Sequence, residues 1–163
     1  MLNADPRGIR NNNPGNIRLS KTLWQGQKPG HSGPDINSGT AGAAPQPDPD
    51  FVEFTMPLYG LRALMKTLLT YYLKYNLNTV QSLINRYAPP HENATDAYTY
   101  EVAKVLNVKR TDTIDVSSKQ TLITLAQAIV VHENGQPPAG RPSGWYDPDL
   151  YAQAAILALP VTA

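Results

Sequence analysis

The sequence contains no cysteine among its 163 residues, and its charges nearly cancel, with 14 Lys and Arg against 13 Asp and Glu. The lack of cysteine excludes disulfides, Cys-ligated zinc and thiol nucleophiles, and it leaves the redox compartment open. The basic residues are scattered and the formal net charge is only +1. Because nucleic-acid binding usually needs a basic stripe, we expect no nucleic-acid partner.

Long hydrophobic runs are also absent. The N-terminus, MLNADPRGIRNNNPG, lacks the apolar core of a signal peptide, and no later stretch approaches the length of a membrane span. We therefore expect a protein made in the cytoplasm without a signal peptide and without membrane insertion, which needs separate delivery to any substrate outside the cytoplasm. A hydrophobic fraction of 41% is sufficient for one domain over residues 1–163.

The chain divides into a polar front and a helical remainder. In residues 7–26, an Asn run with Pro14 and Gly15 predicts a shaped loop rather than a helix, with a small β-ribbon around residues 17–24 as an alternative. Residues 27–50 are rich in Gly, Pro, Ser and Ala, which predicts a flexible surface loop. The rest shows helical periodicity, so we predict a mainly α fold with helices packed around one core.

Capping and helix-breaking residues predict where each helix begins and ends. Thr55 as N-cap and Pro57 in the first turn predict a helix over residues 55–75. Thr79 is expected to cap a second helix that Pro89 ends. The other predicted helices cover residues 95–106, a segment that is capped by Asp115 or Ser117 and leads to Glu133, and residues 147–159.

Glu133 stands where the helix pattern predicts a core residue. Leu122, Ala126 and Ile129 follow one helix face, Glu133 is the next position on that face, and Gly135 signals the helix end. Partial burial and the negative end of the helix dipole would both raise the pKa of the carboxyl group. A raised pKa keeps a proton on the carboxyl group near neutral pH, which a general acid needs in order to break a glycosidic or similar bond. The alternative is a helix-end Glu that reaches into water.

Two segments resemble the second half of the lytic transglycosylase and goose-type lysozyme domain: GLRALMKTLLTYYLKYNLNTVQSLINRYAPP and ENATDAYTYEVAKVL. Thr95, Tyr98 and Val102 match the Thr-x-x-Tyr helix of that family. A third segment, LAQAIVVHENGQPP, resembles the family's first motif, which carries the catalytic acid, but here it comes last. The resemblance implies a lysozyme-like domain in circular permutation, which folded domains tolerate because their termini are commonly close.

The front of the chain resembles a family of phage and prophage virion proteins associated with cell-wall digestion. The shared motifs are RGIRNNNPGNIR, W-x-G, FVEF and GLRA, over residues 7–137. The Asn-rich turn and W-x-G are also similar to those of flagellar-type glucosaminidases. Because the Gly-Leu-Met-Gln motif of transglycosylases is missing, we expect the Asn turn to form the cleft floor. These resemblances imply an enzyme of the periplasmic cell wall, with peptidoglycan as its partner, delivered by a virion or a secretion device.

The implied reaction is cleavage of the β-1,4 bond between the amino sugars of peptidoglycan, by a muramidase or a lytic transglycosylase. Glu133 would protonate the leaving oxygen, and either a second carboxylate or the sugar's own 6-hydroxyl would complete the reaction. Tyr98 would orient the sugar or stabilise charge, unless it is a core aromatic residue. Glu92 is the preferred second acid, although a helix N-terminus also favours an acidic residue there. The other available acids are Asp48, Asp50 and Glu53.

Amides and one indole ring are the predicted substrate contacts. Asn amides would bond the N-acetyl and hydroxyl groups of the glycan, and a flat indole ring would stack on a pyranose face. The alternatives are an Asn that closes its own turn and a Trp that anchors a core. The predicted substrate-binding residues are Asn13, Asn16, Trp24, Asn93 and Asn134, and the basic residues considered as partners for muropeptide carboxylates are Arg10, Arg18 and Arg62.

No metal and no cofactor are expected. The triplet His-Glu-Asn occurs at residues 91–93 and 132–134, and two His with an acid would suit a zinc-dependent amidase or peptidase. However, there is no HExxH helix, and the third histidine, His31, lies in the predicted flexible loop. A further alternative is a virion or tail component that binds glycan without cutting it, because fold does not specify activity.

Overall fold

The computed structural model describes residues 4–29, 48–90, 94–141 and 143–161. The regular structure in these ranges is helical, which confirms the prediction of a mainly α fold. The helices, in chain order, are α1 (Arg7–Arg10), α2 (Pro57–Tyr75), α3 (Val80–Tyr87), α4 (Thr95–Leu106), α5 (Lys119–Asn134) and α6 (Pro148–Ala158).

The N-terminal segment pairs with the chain that precedes α2. Antiparallel bridges join Arg18 to Phe51 and Gln27 to Phe54, and the N–H of Leu19 donates to the carbonyl of Asp50 over 2.9 Å. The bridge at Arg18 agrees with the small β-ribbon considered for residues 17–24, and its partner comes from the other side of the predicted surface loop. Most of that loop, residues 30–47, lies outside the described residues.

The central helix α2 begins one residue later than its cap motif predicts. The N–H of Thr55 donates to the carbonyl of Gly26 over 2.9 Å, so the extended backbone continues through Met56, which is the actual N-cap. Pro57 then occupies the first helical turn, as predicted. The buried side of α2 packs against α3, α5 and α6. Its largest fully buried side chains are Leu61, Leu64, Met65 and Leu68, each contributing roughly 1.5–3 kcal/mol through burial.

Local caps set the ends of the other helices. Thr79 caps α3, as predicted, in a reciprocal capping box with Ser82. For α5 the predicted caps are wrong: Asp115 instead accepts the N–H and hydroxyl of Ser117, and Ser118 is the N-cap. The hydrogen bonds between Asp115 and Ser117 hold both side chains in the turn before α5, so neither caps the helix.

The front loop contains one helical turn, so the prediction of no helix there is wrong for α1. The loop prediction holds for the Asn run that follows, where Asn12 and Asn16 adopt positive φ angles of 52° and 50°. Helix α1 packs against α5. The turn therefore lies against the helix that carries Glu133.

No helix in the described ranges is long and apolar enough to cross a membrane.

Candidate active-site groove

Glu133 lies in the last turn of α5, on a wall of a groove of about 450 Å³. Leu122, Ala126 and Ile129, which precede it on the same helix face, are fully buried, so the apolar stripe runs into the core and the carboxyl group emerges at its end. Glu133 itself is half-buried. The groove is lined by Gly15, Asn16, Ile17, Arg18, Trp24, Phe51, Thr67, Tyr71, Tyr87, Ala88 and Glu133.

Each carboxylate oxygen of Glu133 accepts one hydrogen bond. The hydroxyl of Tyr98 donates to Oε1 over 3.1 Å, and the side-chain amide of Asn16 donates to Oε2 over 3.1 Å. Two donors from different elements, α4 and the N-terminal turn, therefore fix the orientation of the carboxyl group. Two of the predicted site residues are brought directly to Glu133.

Tyr98 is 1% exposed and is held in place by its neighbours. Its ring stacks on His132 with centroids 3.6 Å apart and an interplanar angle of 24°. Nδ1 of His132 in turn lies 2.6 Å from Oε2 of Glu101. Burial, and then the negative charge of Glu133, raise the pKa of the Tyr98 hydroxyl far above its ordinary value. Tyr98 therefore remains a protonated donor to Glu133.

A second buried hydroxyl supports the floor of the groove. Tyr87, from the end of α3, donates to the backbone carbonyl of Gly15. Burial, and then the charge of Glu133, raise its pKa well above the ordinary value. In the sequence, Tyr87 falls on the same helix face as the apolar residues Val80, Leu83 and Ile84. A tyrosine on an otherwise apolar face is a signal for such a buried hydroxyl contact, because the hydroxyl needs a partner when it is buried.

Asn134 joins the end of α5 to the N-terminal turn. Its amide donates to the carbonyls of Pro14 and Val130 over 2.8 and 2.9 Å, and the side chain is buried. Gly135, with a φ of 78°, ends the helix. The structure thus contradicts the interpretation of Asn134 as a substrate contact, because its amide donors are used inside the fold.

The same correction applies to Asn13, which is 0% exposed. Its oxygen accepts the N–H of Ile17, and its amide donates to the carbonyls of Ile17 and Val52, all over 2.9 Å. These bonds close the turn and fasten it to the segment before α2. Asn13 therefore shapes the turn and presents no polar atom to the groove.

Trp24 lies between an apolar cluster and the groove. It is partly buried against Val52, Phe54 and Ala63, and it also lines the groove that contains Glu133. Thr67 and Tyr71, which no sequence motif assigns to a site, line the groove from α2. Their spacing of four residues puts them on one helix face. The sequence alone does not show that this face borders a groove.

Asp48, Asp50 and Glu53 are not among the residues that line the groove. Asp48 and Asp50 both bind Arg7, so they are ordered at the end of the predicted flexible stretch. Burial alone would raise the pKa of Asp48, but hydrogen bonds from Arg7, Asn11 and the backbone of residues 50 and 51 lower it well below its usual range. Oε2 of Glu53 lies 3.8 Å from Nζ of Lys28. Glu92 and Asn93 lie outside the described residues.

Glu133 is the single carboxylate among the described residues that line the groove. The part of the chain that the structure describes contains no cluster of three or more His, Asp or Glu side chains suited to a metal ion. His31 and His91, on which the zinc alternative depends, fall outside that part.

Comparison with known proteins finds a phage relative. No family model matches the chain. The sequence is 32% identical over 141 residues to "Protein P5" of Pseudoalteromonas phage PM2, covering 85% of this chain and 77% of the relative.

Proposed function

We propose that this chain, which belongs to the family of Protein P5 of Pseudoalteromonas phage PM2, cleaves the β-1,4 bond between MurNAc and GlcNAc in peptidoglycan. The observation that carries the proposal is a half-buried carboxyl group at a helix end, oriented by two donors on the wall of a groove. The relative in Pseudoalteromonas phage PM2 supports the part of the proposal that concerns a phage protein. The order of the helices, with the acid on α5 after α3 and α4, supports a permuted lysozyme-like domain.

Glu133 would act first as a general acid. Its carboxyl proton passes to the glycosidic oxygen while the bond from that oxygen to the anomeric carbon breaks, leaving an oxocarbenium-like centre. Tyr98 and Asn16 donate to the two oxygens of the resulting carboxylate. Such charge-assisted hydrogen bonds strengthen as the negative charge appears, so both residues stabilise the group after it has given up its proton.

The second half of the reaction has two routes. In a lytic transglycosylase, the 6-hydroxyl of the same sugar attacks the anomeric carbon, and the Glu133 carboxylate takes the hydroxyl proton. In a muramidase, water supplies the oxygen and a second carboxylate participates. The first route needs only the one carboxylate that the described groove contains, whereas the second requires a further acid, for which Glu92 is our candidate.

Analysis of digested sacculi by mass spectrometry tests the proposal. Reducing-end muropeptides indicate hydrolysis, anhydro ends indicate transglycosylation, and cleaved stems indicate an amidase or peptidase instead. We expect Glu133→Gln to abolish release of fragments, because the amide keeps the shape but has no acidic proton. Asp149→Asn is the matched control, since this exposed carboxylate in the first turn of α6 lies outside the groove.

Two outcomes would contradict the proposal. Full activity of Glu133→Gln would place the acid elsewhere. Co-sedimentation of the wild-type protein with sacculi, without any released fragment, would identify a glycan-binding virion component. We expect the active protein to be made in the cytoplasm and delivered to the periplasmic wall with the virion.

A further inference from the structure

A second recess, of about 670 Å³, adjoins the Glu133 groove. The two linings share Trp24, Thr67 and Tyr71, so the groove continues past the indole ring along α2. The lining of this extension includes Trp24, Arg62, Lys66, Thr67, Thr70 and Tyr71. An extended groove of this kind suits a polymeric substrate better than a small molecule.

The extension carries two cations on one helix face. Arg62, Lys66 and Thr70 follow each other at intervals of four residues on α2 and all line the recess. Like charges at this spacing destabilise an isolated helix. No ion pair joins either residue to a carboxylate in the part of the chain that the structure describes. The charge pair is therefore uncompensated there.

Arg62 also has a donor with no acceptor. Its Nε atom is buried and makes no hydrogen bond to the described residues. A buried donor left unsatisfied destabilises a fold, so native structures normally provide a partner for it. Because Nε is closed to solvent, a ligand in the recess would meet the planar guanidinium through its terminal N–H groups, which suit a carboxylate.

The geometry points to a carboxylate-binding subsite at Arg62 and Lys66, which holds the acidic substituents of the glycan strand while the sugars lie along Trp24 toward Glu133. This assignment rests on the proposed function. The ligand chemistry is a carboxylate on a sugar polymer, supplied either by the stem peptide or, where the stem is missing, by the lactyl group of the muramic acid sugar. The subsite would distinguish peptidoglycan from neutral amino-sugar polymers.

Equilibrium binding on the Glu133→Gln background tests the subsite without any requirement for cleavage. The probes are glycan strands with stem peptides, the same strands with stems removed, and GlcNAc oligomers that have no carboxylate. We expect strands with stems to bind about tenfold more tightly than GlcNAc oligomers, the effect of one charge-assisted contact. The difference should shrink as salt is raised.

Adding Arg62→Gln and Lys66→Gln together should remove this preference and leave the affinity for GlcNAc oligomers unchanged. The matched control removes two cations outside the recess, Lys74→Gln and Lys104→Gln, and should retain the preference. If strands without stems bind as well as strands with stems, and both exceed GlcNAc oligomers, the lactyl carboxylate is the ligand and the subsite stands.

Equal binding of all three probes would overturn the subsite, and so would a preference that survives in the double variant. The proposed function fails separately, when the wild-type protein releases no fragments from sacculi. A carboxylate preference without cleavage would therefore leave the subsite in place and reject the catalytic proposal.

Discussion

The hydroxyl of Tyr98 lies 3.1 Å from Oε1 of Glu133 and connects α4 to the last turn of α5. Removing this hydroxyl with Tyr98→Phe keeps the ring that stacks on His132. We expect the rate of sacculus lysis to fall roughly tenfold, the effect of one hydrogen bond of about 1.4 kcal/mol to a charged group. Tyr100→Phe, on the same helix but 67% exposed, is the control. An unchanged rate in Tyr98→Phe would mean that the hydroxyl does not assist Glu133.

Asn16 offers a test in which backbone conformation and hydrogen bonding are separated. Its φ of 50° lies in the left-handed region, which glycine adopts without strain. Asn16→Gly should therefore preserve the turn while removing the donor to Oε2 of Glu133, and we expect a roughly tenfold loss of lytic rate with little change in melting temperature. Asn107→Gly makes the same substitution at a φ of 55°, at the end of α4, and should leave the lytic rate unchanged. Equal rates in the two variants would remove Asn16 from the mechanism.

Gly8 is the point where α1 approaches the acidic end of α5 most closely. A Cβ at this position would lie 2.5 Å from Oδ1 of Asn134 and 2.8 Å from Oδ1 of Asn16. We expect Gly8→Ala to destabilise the protein by about 1–3 kcal/mol through overpacking and to reduce activity by displacing Asn16. Gly140→Ala, where a Cβ meets nothing within 4 Å, should do neither. Chemical denaturation measures the free energy of unfolding of both variants. Unaltered stability of Gly8→Ala would show that α1 shifts to accommodate the added methyl group at little cost.

The contact between Arg7 and Asp48 should make the stability of the fold sensitive to acid. Because the pKa of Asp48 is lower in the folded chain than in the unfolded one, its contribution is fully present above the ordinary pKa of about 3.9 and is lost as the pH falls toward the folded value. Asp48→Asn should lower the melting temperature at neutral pH, and the gap to the wild type should close below about pH 4. Parallel melting curves for the two proteins between neutral and acidic pH would contradict this assignment.

Local signals in the sequence predicted most of the helices. Thr79 and Pro57 act through neighbours in the chain, and the structure uses both as expected. At the start of α2 a tertiary hydrogen bond decided instead: the N–H of Thr55 donates to the carbonyl of Gly26, and the helix starts after Met56. Local patterns contain no information about such partners.

The site was less predictable than the fold for a similar reason. Periodicity identified Glu133 as a charged residue on an apolar face, but not the groups opposite it. Within one Asn-rich turn, Asn13 closes the turn while Asn16, which has a positive φ angle, reaches Glu133. Composition treats these asparagines alike, and only the folded backbone distinguishes them.

The hydrogen bond between Asn16 and Glu133 spans 117 positions of the chain, and that from Asn134 to Pro14 spans 120. Contacts of such long range form late, since the intervening polypeptide must first be ordered. A nascent chain still on the ribosome, or one cut by a protease before α5, contains the Asn turn but has no acid to orient. The groove therefore assembles only after α5 has been synthesised, and the carboxyl group of Glu133 has neither of its two donors in place before then.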